Sequence, residues 1–334
     1  MKIKIANKFV GDNSPVFIVA EGGINHNGSI SIAKKIILEA VNAGADAIKF
    51  QTFKAADLTS TKSKYYNIFK RLEFGADEFG ELSDYAKSMK IIFLSTPFSD
   101  DAVDLLSSIN VPAFKIASGD LTNIPLIKYA ASKMKPMIIS TGMATMKDTE
   151  LAVKAIKSKG NNKIILLHSV SSYPPPLNEA NLLSIKEISK KFSYPVGYSD
   201  NGEDMIVPLI AVACGAKIIE KHFTINKKLK GPDQKLSANP IQFKNLIKEI
   251  RLVEKMLGDG QKRCQASELD SRINARRGVT AKITIEKGTR IKNEMLALKR
   301  PAIGIEPRYL NKIIGKITRK RILNDEPIKW KDLR

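Results

Sequence analysis

Residues 113–142 read AFKIASGDLTNIPLIKYAASKMKPMIISTG. Two short apolar runs, Ala113-Phe114-Lys115-Ile116 and Met137-Ile138-Ile139, flank a helix-like stretch. Polar residues follow each run, Ser118 after the first and Ser140-Thr141-Gly142 after the second. The pattern is strand, helix, strand, with each strand ending on chemistry. Outward from this segment the unit repeats. Upstream lie Val16-Phe17-Ile18-Val19-Ala20, Ala47-Ile48-Lys49-Phe50 and Ile91-Ile92-Phe93-Leu94; downstream lie Ile164-Ile165-Leu166-Leu167, Val196-Gly197-Tyr198 and Lys217-Ile218-Ile219. Helix-like stretches separate them. Ser31 to Ala43 closes on Gly44, and Met146 to Lys159 closes on Gly160, glycines where a helix end turns left-handed. Pro240 to Leu257 reads as a last helix, broken by Gly258-Asp259-Gly260. A doubly wound sheet shares this alternation, but eight β units over about 250 residues predict an α/β fold of the (β/α)8 TIM-barrel type.

The whole chain has 334 residues, 43% hydrophobic and 27% charged, with 20 Gly and 15 Pro. That composition excludes disordered, collagen-like and disulfide-scaffold classes. No stretch approaches the roughly 20 apolar residues of a membrane span. MKIKIANKFV at the start lacks the apolar run of a secretory signal, so a cytoplasmic protein with no membrane partner is expected. Cys214 and Cys264 are too few for a disulfide framework, and Cys214 reads as a small packing residue.

Lys and Arg number 55 against 34 Asp and Glu, a net charge of +21. Between Arg276 and Arg334, 17 basic residues face 6 acidic ones, which marks the tail as a separate unit. The expected organisation is a barrel over 1–260, a linker over 261–277 and a small β-rich module over 278–334. Within the module, Lys287-Gly288-Thr289-Arg290-Ile291 before Met295-Leu296 is echoed by Asn324-Asp325-Glu326-Pro327-Ile328 before Leu333, a pattern that suggests an internal two-fold.

Barrel enzymes place their chemistry in the loops that follow the strands. In order, the strand ends carry Glu21 with Asn25-His26, Lys49 with Gln51-Thr52, Ser95-Thr96, Lys115 with Ser118, and Ser140-Thr141. They continue with His168-Ser169, Ser171 and Tyr173, then Ser199-Asp200-Asn201, then Glu220-Lys221-His222. Taken singly, each is an ordinary capping or loop residue; eight sets in a row are not. A lysine inside a strand is costly to bury without an anion, because desolvation penalises the charged form. Lys49 and Lys115 beside Ser118 and Ser140 therefore point to a small ligand carrying phosphate and carboxylate. His26 reads as structural, and His168 either as a buried hydrogen-bonded ring or as part of the site.

The blocks Glu21-Gly22-Gly23-Ile24-Asn25-His26-Asn27-Gly28, Lys49-Phe50-Gln51-Thr52, Ser95-Thr96-Pro97-Phe98, Lys115-Ile116-Ala117-Ser118-Gly119, Ser140-Thr141-Gly142-Met143 and Glu220-Lys221-His222-Phe223 resemble the sialic acid synthase family. Tyr173-Pro174 and Gly231-Pro232-Asp233 fit the same pattern. The tail, with Lys299-Arg300-Pro301 and Gly304, resembles the antifreeze-like (SAF) domain that follows the barrel in that family. The resemblance implies a transferase that condenses phosphoenolpyruvate with an N-acetylated mannose-type sugar. It implies phosphate contacts at Lys115, Ser118, Ser140 and Ser199, and carboxylate contacts at Lys49 and Thr96. Sugar contacts fall on Glu21, Gln51, Tyr173, Asp233 and, from the tail, Arg300. It further implies a domain-swapped homodimer in which Arg300 serves the other subunit's site. Proton transfer falls to Glu21 or Glu220, between which the sequence does not choose.

The family's divalent metal, Mn2+ or Mg2+, is held by two histidines. Here the second is His222, whereas Asn201 stands at the first position and offers a weaker carbonyl oxygen. Metal binding through His222 and Asn201 and its absence both stay open. A synthase of the 3-deoxy-heptulosonate or octulosonate phosphate type shares the barrel and phosphoenolpyruvate but lacks such a tail. A basic polymer-binding protein on a degenerate barrel is a third reading. Against it, the tail offers one aromatic-basic cluster, Lys329-Trp330-Lys331, and no nucleic-acid motif, so no nucleic-acid partner is expected. The acceptor is open among N-acetylmannosamine, its 6-phosphate and 2,4-diacetamido trideoxy sugars; a phosphorylated one calls for basic residues near the mouth.

Overall fold

The computed structural model describes residues 1–334. An antiparallel hairpin of β1 (Lys2–Ile5) and β2 (Lys8–Gly11) comes first. Eight parallel strands follow: β3 (Phe17–Gly23), β4 (Ala47–Thr52), β5 (Ile92–Pro97), β6 (Phe114–Ile116), β7 (Met137–Ser140), β8 (Ile164–Ser169), β9 (Val196–Asp200) and β10 (Ile218–His222). They pair in sequence order, and β10 returns to β3, closing a barrel. A helix follows every strand, from Ile30–Ala43 after β3 to Pro240–Leu257 after β10. The expected helix stops hold: Gly44 caps the first helix at φ 91°, and Gly160 turns left-handed at φ 78°.

Side chains alternate across a strand, so every second residue of each barrel strand points inward. Phe17, Val19, Leu94, Ile138, Leu167 and Ile218 are such residues and share one buried apolar cluster. Two positions further along each strand, the inward residue becomes polar: Glu21, Lys49, Thr96, Lys115, Ser140, Ser169, Ser199 and Glu220, all buried. The barrel is thus apolar in its lower layers and charged in its top layer, which faces the loops. Ile3, Ile5 and Val10 of the hairpin join the lower cluster and close its N-terminal end. The alternation Lys2-Ile3-Lys4-Ile5 encodes that strand, with the isoleucines buried and the lysines exposed. The opposite strand faces pack against the helices in a second apolar cluster that includes Ile48, Phe50, Phe114, Ile139 and Tyr198.

The second compact unit spans Asp259–Arg334. Within the stretch expected as linker, Leu269–Asn274 forms a short helix. Beyond it, β11 (Gly278–Ala281) pairs with β12 (Leu296–Lys299). The internal echo is structural. Ile285, Gly288, Ile291 and Leu296 occupy one half as Ile322, Asp325, Ile328 and Leu333 occupy the other; the six apolar residues among these eight are buried in one core, and Gly288 and Asp325 both have positive φ. Ile285 and Ile322 exchange backbone hydrogen bonds at 2.8 and 2.9 Å across the pseudo-axis. No helix of the chain is long and apolar enough to cross a membrane.

Candidate active site

The top layer of the barrel opens into a cavity of about 310 Å³, within the usual range for small-molecule sites. Thirteen of the fourteen residues that the family resemblance assigns to the site line it: Glu21, Lys49, Gln51, Thr96, Lys115, Ser118, Ser140, Tyr173, Ser199, Asn201, Glu220, His222 and Asp233; of the other strand-end candidates, Asn25, His26, Thr52, Ser95, Thr141, His168, Asp200 and Lys221 do not. Arg300, the fourteenth, lies exposed in the second unit. Larger clefts exist, of about 770 Å³ near Lys87 and Pro112 and 820 Å³ near Leu38 and Ile241. Neither gathers buried charge, so charge rather than size identifies the site.

The two strand lysines are not waiting alone for an anion. Lys49 Nζ lies 2.6 Å from Glu21 Oε2 and 3.6 Å from Glu220 Oε2, and Lys115 Nζ lies 3.4 Å from Glu220 Oε1. Lys49 also donates to Thr96 Oγ1 at 3.2 Å, and Ser199 Oγ donates to Glu220 Oε1 at 2.9 Å. Glutamates on β3 and β10 thus balance lysines on β4 and β6. The sequence expectation is corrected on this point, because the internal partners are part of the site.

The balance is uneven. Burial raises the carboxyl of Glu21 above the usual range, although Lys49 opposes it. For Glu220 burial acts in the same direction, but Lys115, Lys49 and the Ser199 hydroxyl outweigh it and hold the group down at about 2. Burial pulls Lys115 below the ordinary lysine value, with Lys49 adding repulsion, whereas Glu21 and Glu220 overcome burial and raise Lys49. One carboxyl is therefore suited to carry a proton and the other to stay ionised.

Beside Lys115, hydroxyls converge. Gly142 N donates to Ser118 Oγ at 3.1 Å, and the buried Ser140 Oγ and Ser171 Oγ have no hydrogen-bond partner in the protein. A Cβ on Gly142 would lie 2.3 Å from Ser171 Oγ and 2.8 Å from Ser118 Oγ, so only glycine leaves this cradle open. Unpartnered hydroxyls next to a lysine form a ready receptor for phosphate oxygens. Ser171 and Ser169 are marked in the sequence only by standing at a strand end, and their place in the cradle follows from how the loop after β8 folds back.

At the other side of the cavity, His222 Nδ1 is buried without a hydrogen bond, 4.0 Å from Asp233 Oδ2, and the His222 ring meets Tyr173 edge-on at 6.0 Å. Asp233 is held there by a buried network. Gln234 Nε2 donates to the Asn25 carbonyl at 2.9 Å, Asn25 Nδ2 donates to Ser237 Oγ at 2.9 Å, and Ser237 Oγ donates to the Asp233 carbonyl at 2.6 Å. Asn201 Nδ2 donates to Val170 O at 2.8 Å and Ser169 Oγ at 3.3 Å, which leaves its carbonyl oxygen free of protein partners. No three His, Cys, Asp or Glu side chains converge as a closed metal cage. The unpartnered imidazole nitrogen and amide oxygen are donors of the kind that a divalent ion takes, and both residues line the cavity.

The other histidines fall outside the chemistry. His26 stacks on Phe74 at 4.0 Å, accepts from Gly28 N, and is pushed down to about 4 by burial. His168 Nε2 is hydrogen-bonded to Ala180 O at 2.8 Å and does not line the cavity.

Comparison with known proteins gives the family. The family model described as NeuB matches residues 36–262, and the SAF domain model matches residues 276–334. The N,N'-diacetyllegionaminic acid synthase of Legionella pneumophila is 40% identical over 91% of this chain and 91% of its own. Human N-acetylneuraminate-9-phosphate synthase is 35% identical over 96% and 93%. The crystal structure of an N-acetylneuraminic acid (sialic acid) synthetase from Leptospira borgpetersenii, 40% identical, covers 81% of this chain and 95% of its own with a TM-score of 0.79. A family model that spans most of the chain, together with relatives that share nearly its full length, shows that this chain belongs to the NeuB family and carries a SAF domain at its C-terminus.

Proposed function

We propose that the chain condenses phosphoenolpyruvate with the open-chain form of N-acetylmannosamine or a related N-acetylated sugar, releasing phosphate and a nonulosonate such as N-acetylneuraminate, legionaminate or pseudaminate. The observation that carries this reading is the meeting of Lys49, Lys115 and an open hydroxyl cradle in one buried cavity beside two carboxyls displaced in opposite directions. The SAF match supports it over the heptulosonate or octulosonate type of synthase.

Phosphoenolpyruvate needs cations and donors at both ends. Its phosphate fits Lys115, Ser118, Ser140 and Ser199, with Ser171 added, and its carboxylate fits Lys49 and Thr96. Binding makes the substrate anions partners of lysines that otherwise face Glu21 and Glu220, and both carboxyls are then freed beside the reacting carbons. The methylene carbon of phosphoenolpyruvate attacks the aldehyde carbon, a C–C bond forms, the aldehyde oxygen becomes an alkoxide, and the phosphate-bearing carbon is left as an oxocarbenium-type centre. Glu21, with its raised pKa, is the group suited to protonate it. Water then adds at that phosphate-bearing carbon and gives its proton to Glu220, which is held ionised. The tetrahedral centre collapses by breaking its C–O bond to phosphate. Gln51, Tyr173 and Asp233 orient the sugar.

A divalent ion fits His222, the Asn201 carbonyl oxygen and water; when bound it supplies Lewis-acid polarisation to the acceptor carbonyl. The proposed working unit is a homodimer in which Arg300 of a second copy completes the sugar site.

Phosphate release by purified, metal-stripped protein, given phosphoenolpyruvate and each candidate sugar with and without manganese, tests the reading. Release with one sugar and a nonulosonate mass for the product is expected; no release and no phosphoenolpyruvate binding would overturn it.

A further inference from the structure

Resting on the condensing activity proposed above, we infer that the buried ion pair Lys221–Asp200 is a positioning device, which holds Asn201 and His222 in place although neither of its own members lines the cavity. The two residues stand opposite each other in the register of β10 and β9, and both are buried. Side chains alternate along a strand, so Ser199 and Glu220 face the cavity, Asp200 and Lys221 face away, and Asn201 and His222 line the cavity again. Each of these last two is one peptide bond from a member of the pair.

The ladder between β9 and β10 ends at Lys221 opposite Asp200, so Asn201 has no strand partner on β10. Side-chain bonds take over there. Lys221 Nζ donates to Asp200 Oδ2 and to the Gly202 carbonyl, both at 2.6 Å, and Gly202 N donates to Asp200 Oδ1 at 3.0 Å. The residues on either side of Asn201 are thus tied to one ammonium of the neighbouring strand, while Asn201 Nδ2 is tied to Val170 O. His222 Nδ1 has no hydrogen bond to orient its ring, so the place of the ring depends on its backbone, which follows directly from Lys221. Stability does not account for such a pair, because apolar residues of similar volume serve as well or better once both charges are desolvated. Direction does: short charge-assisted bonds fix an angle and a distance that apolar packing leaves loose.

The test compares the full-length wild type with the double variant Asp200→Leu, Lys221→Met, which removes the pair without stranding a charge. We expect a folded chain whose kcat with phosphoenolpyruvate and the accepted sugar falls by about 100-fold, while KM for phosphoenolpyruvate moves by less than about threefold. Manganese affinity, read by calorimetry without turnover, should fall by about 10-fold. Lys221→Arg, which keeps a charged donor at the same place, should stay within about fivefold of the wild type in both. Should the double variant unfold, the isosteric Asp200→Asn carries the comparison, with an expected loss of about 10-fold in kcat. A folded variant with the kcat and manganese affinity of the wild type, or one whose whole loss lies in KM for phosphoenolpyruvate, overturns the inference and leaves the condensing activity standing. A wild type that turns over no sugar overturns the proposed activity; manganese affinity then decides the inference, and equal affinity in the two chains, or none in either, overturns it.

Discussion

Replacing Lys115 by Met leaves Glu220 buried with one cation fewer and strips the phosphate cradle of its charge. The expected loss in kcat/KM for phosphoenolpyruvate is about 100- to 1,000-fold, with thermal unfolding measured in parallel to confirm that the barrel still folds. Glu220 gives a second prediction. Its native pKa is held near 2, below the ordinary 4.5, so its stabilising contribution is present above 4.5 and lost as pH falls toward 2. The stability difference between the wild type and Glu220→Gln, read by urea unfolding, should therefore shrink as pH is lowered from 5 to 3; a difference that grows would contradict the pairing. Asn201→His places an imidazole nitrogen where an amide oxygen now stands, and manganese affinity measured calorimetrically should tighten by about 10-fold or more. At this scale the sequence shows the lysines, hydroxyls and acids individually, because each ends a recognisable strand. It does not show that Glu21 and Glu220 face those lysines, since pairing across strands depends on barrel closure and register.

Elements are where the sequence speaks most clearly. A strand buried on both faces reads as an apolar run, and the change from Leu94 to Thr96, or from Ile138 to Ser140, on the same face announces the active end. The hairpin at Lys2–Gly11 is harder to read, because its two four-residue strands gain their stability from the barrel floor rather than from each other. Between β9 and β10 lies an ion pair that also resists reading. Lys221 Nζ reaches Asp200 Oδ2 and the Gly202 carbonyl, both at 2.6 Å, with both side chains buried on the face away from the cavity. Each member precedes a residue of the site, Asn201 or His222. Lys221→Met is expected to cost about 3–5 kcal/mol by stranding Asp200, while Lys221→Arg retains most of the stability and Asp200→Leu combined with Lys221→Met recovers much of the loss. A double-mutant cycle in urea checks this; full additivity of the two single losses would contradict it.

For the whole molecule, charge and order of domains are legible early and assembly is not. The basic tail stands out by composition, and its two halves repeat because Ile285, Ile291 and Leu296 meet Ile322, Ile328 and Leu333 in one small core. Whether Arg300 serves a second copy is testable by mixing two inactive chains, Lys115→Met and Arg300→Ala. Random pairing leaves one intact site in each mixed dimer, so activity should recover to about a quarter of wild type, and no recovery would contradict the shared site. The most direct test of the central claim follows the bridging oxygen of phosphoenolpyruvate. With that oxygen labelled as 18O and a sugar that supports turnover, the account predicts that the label leaves in inorganic phosphate, because the C–O bond breaks. Label retained in the organic product would mean that the P–O bond breaks instead, and would contradict the condensation described for this cavity.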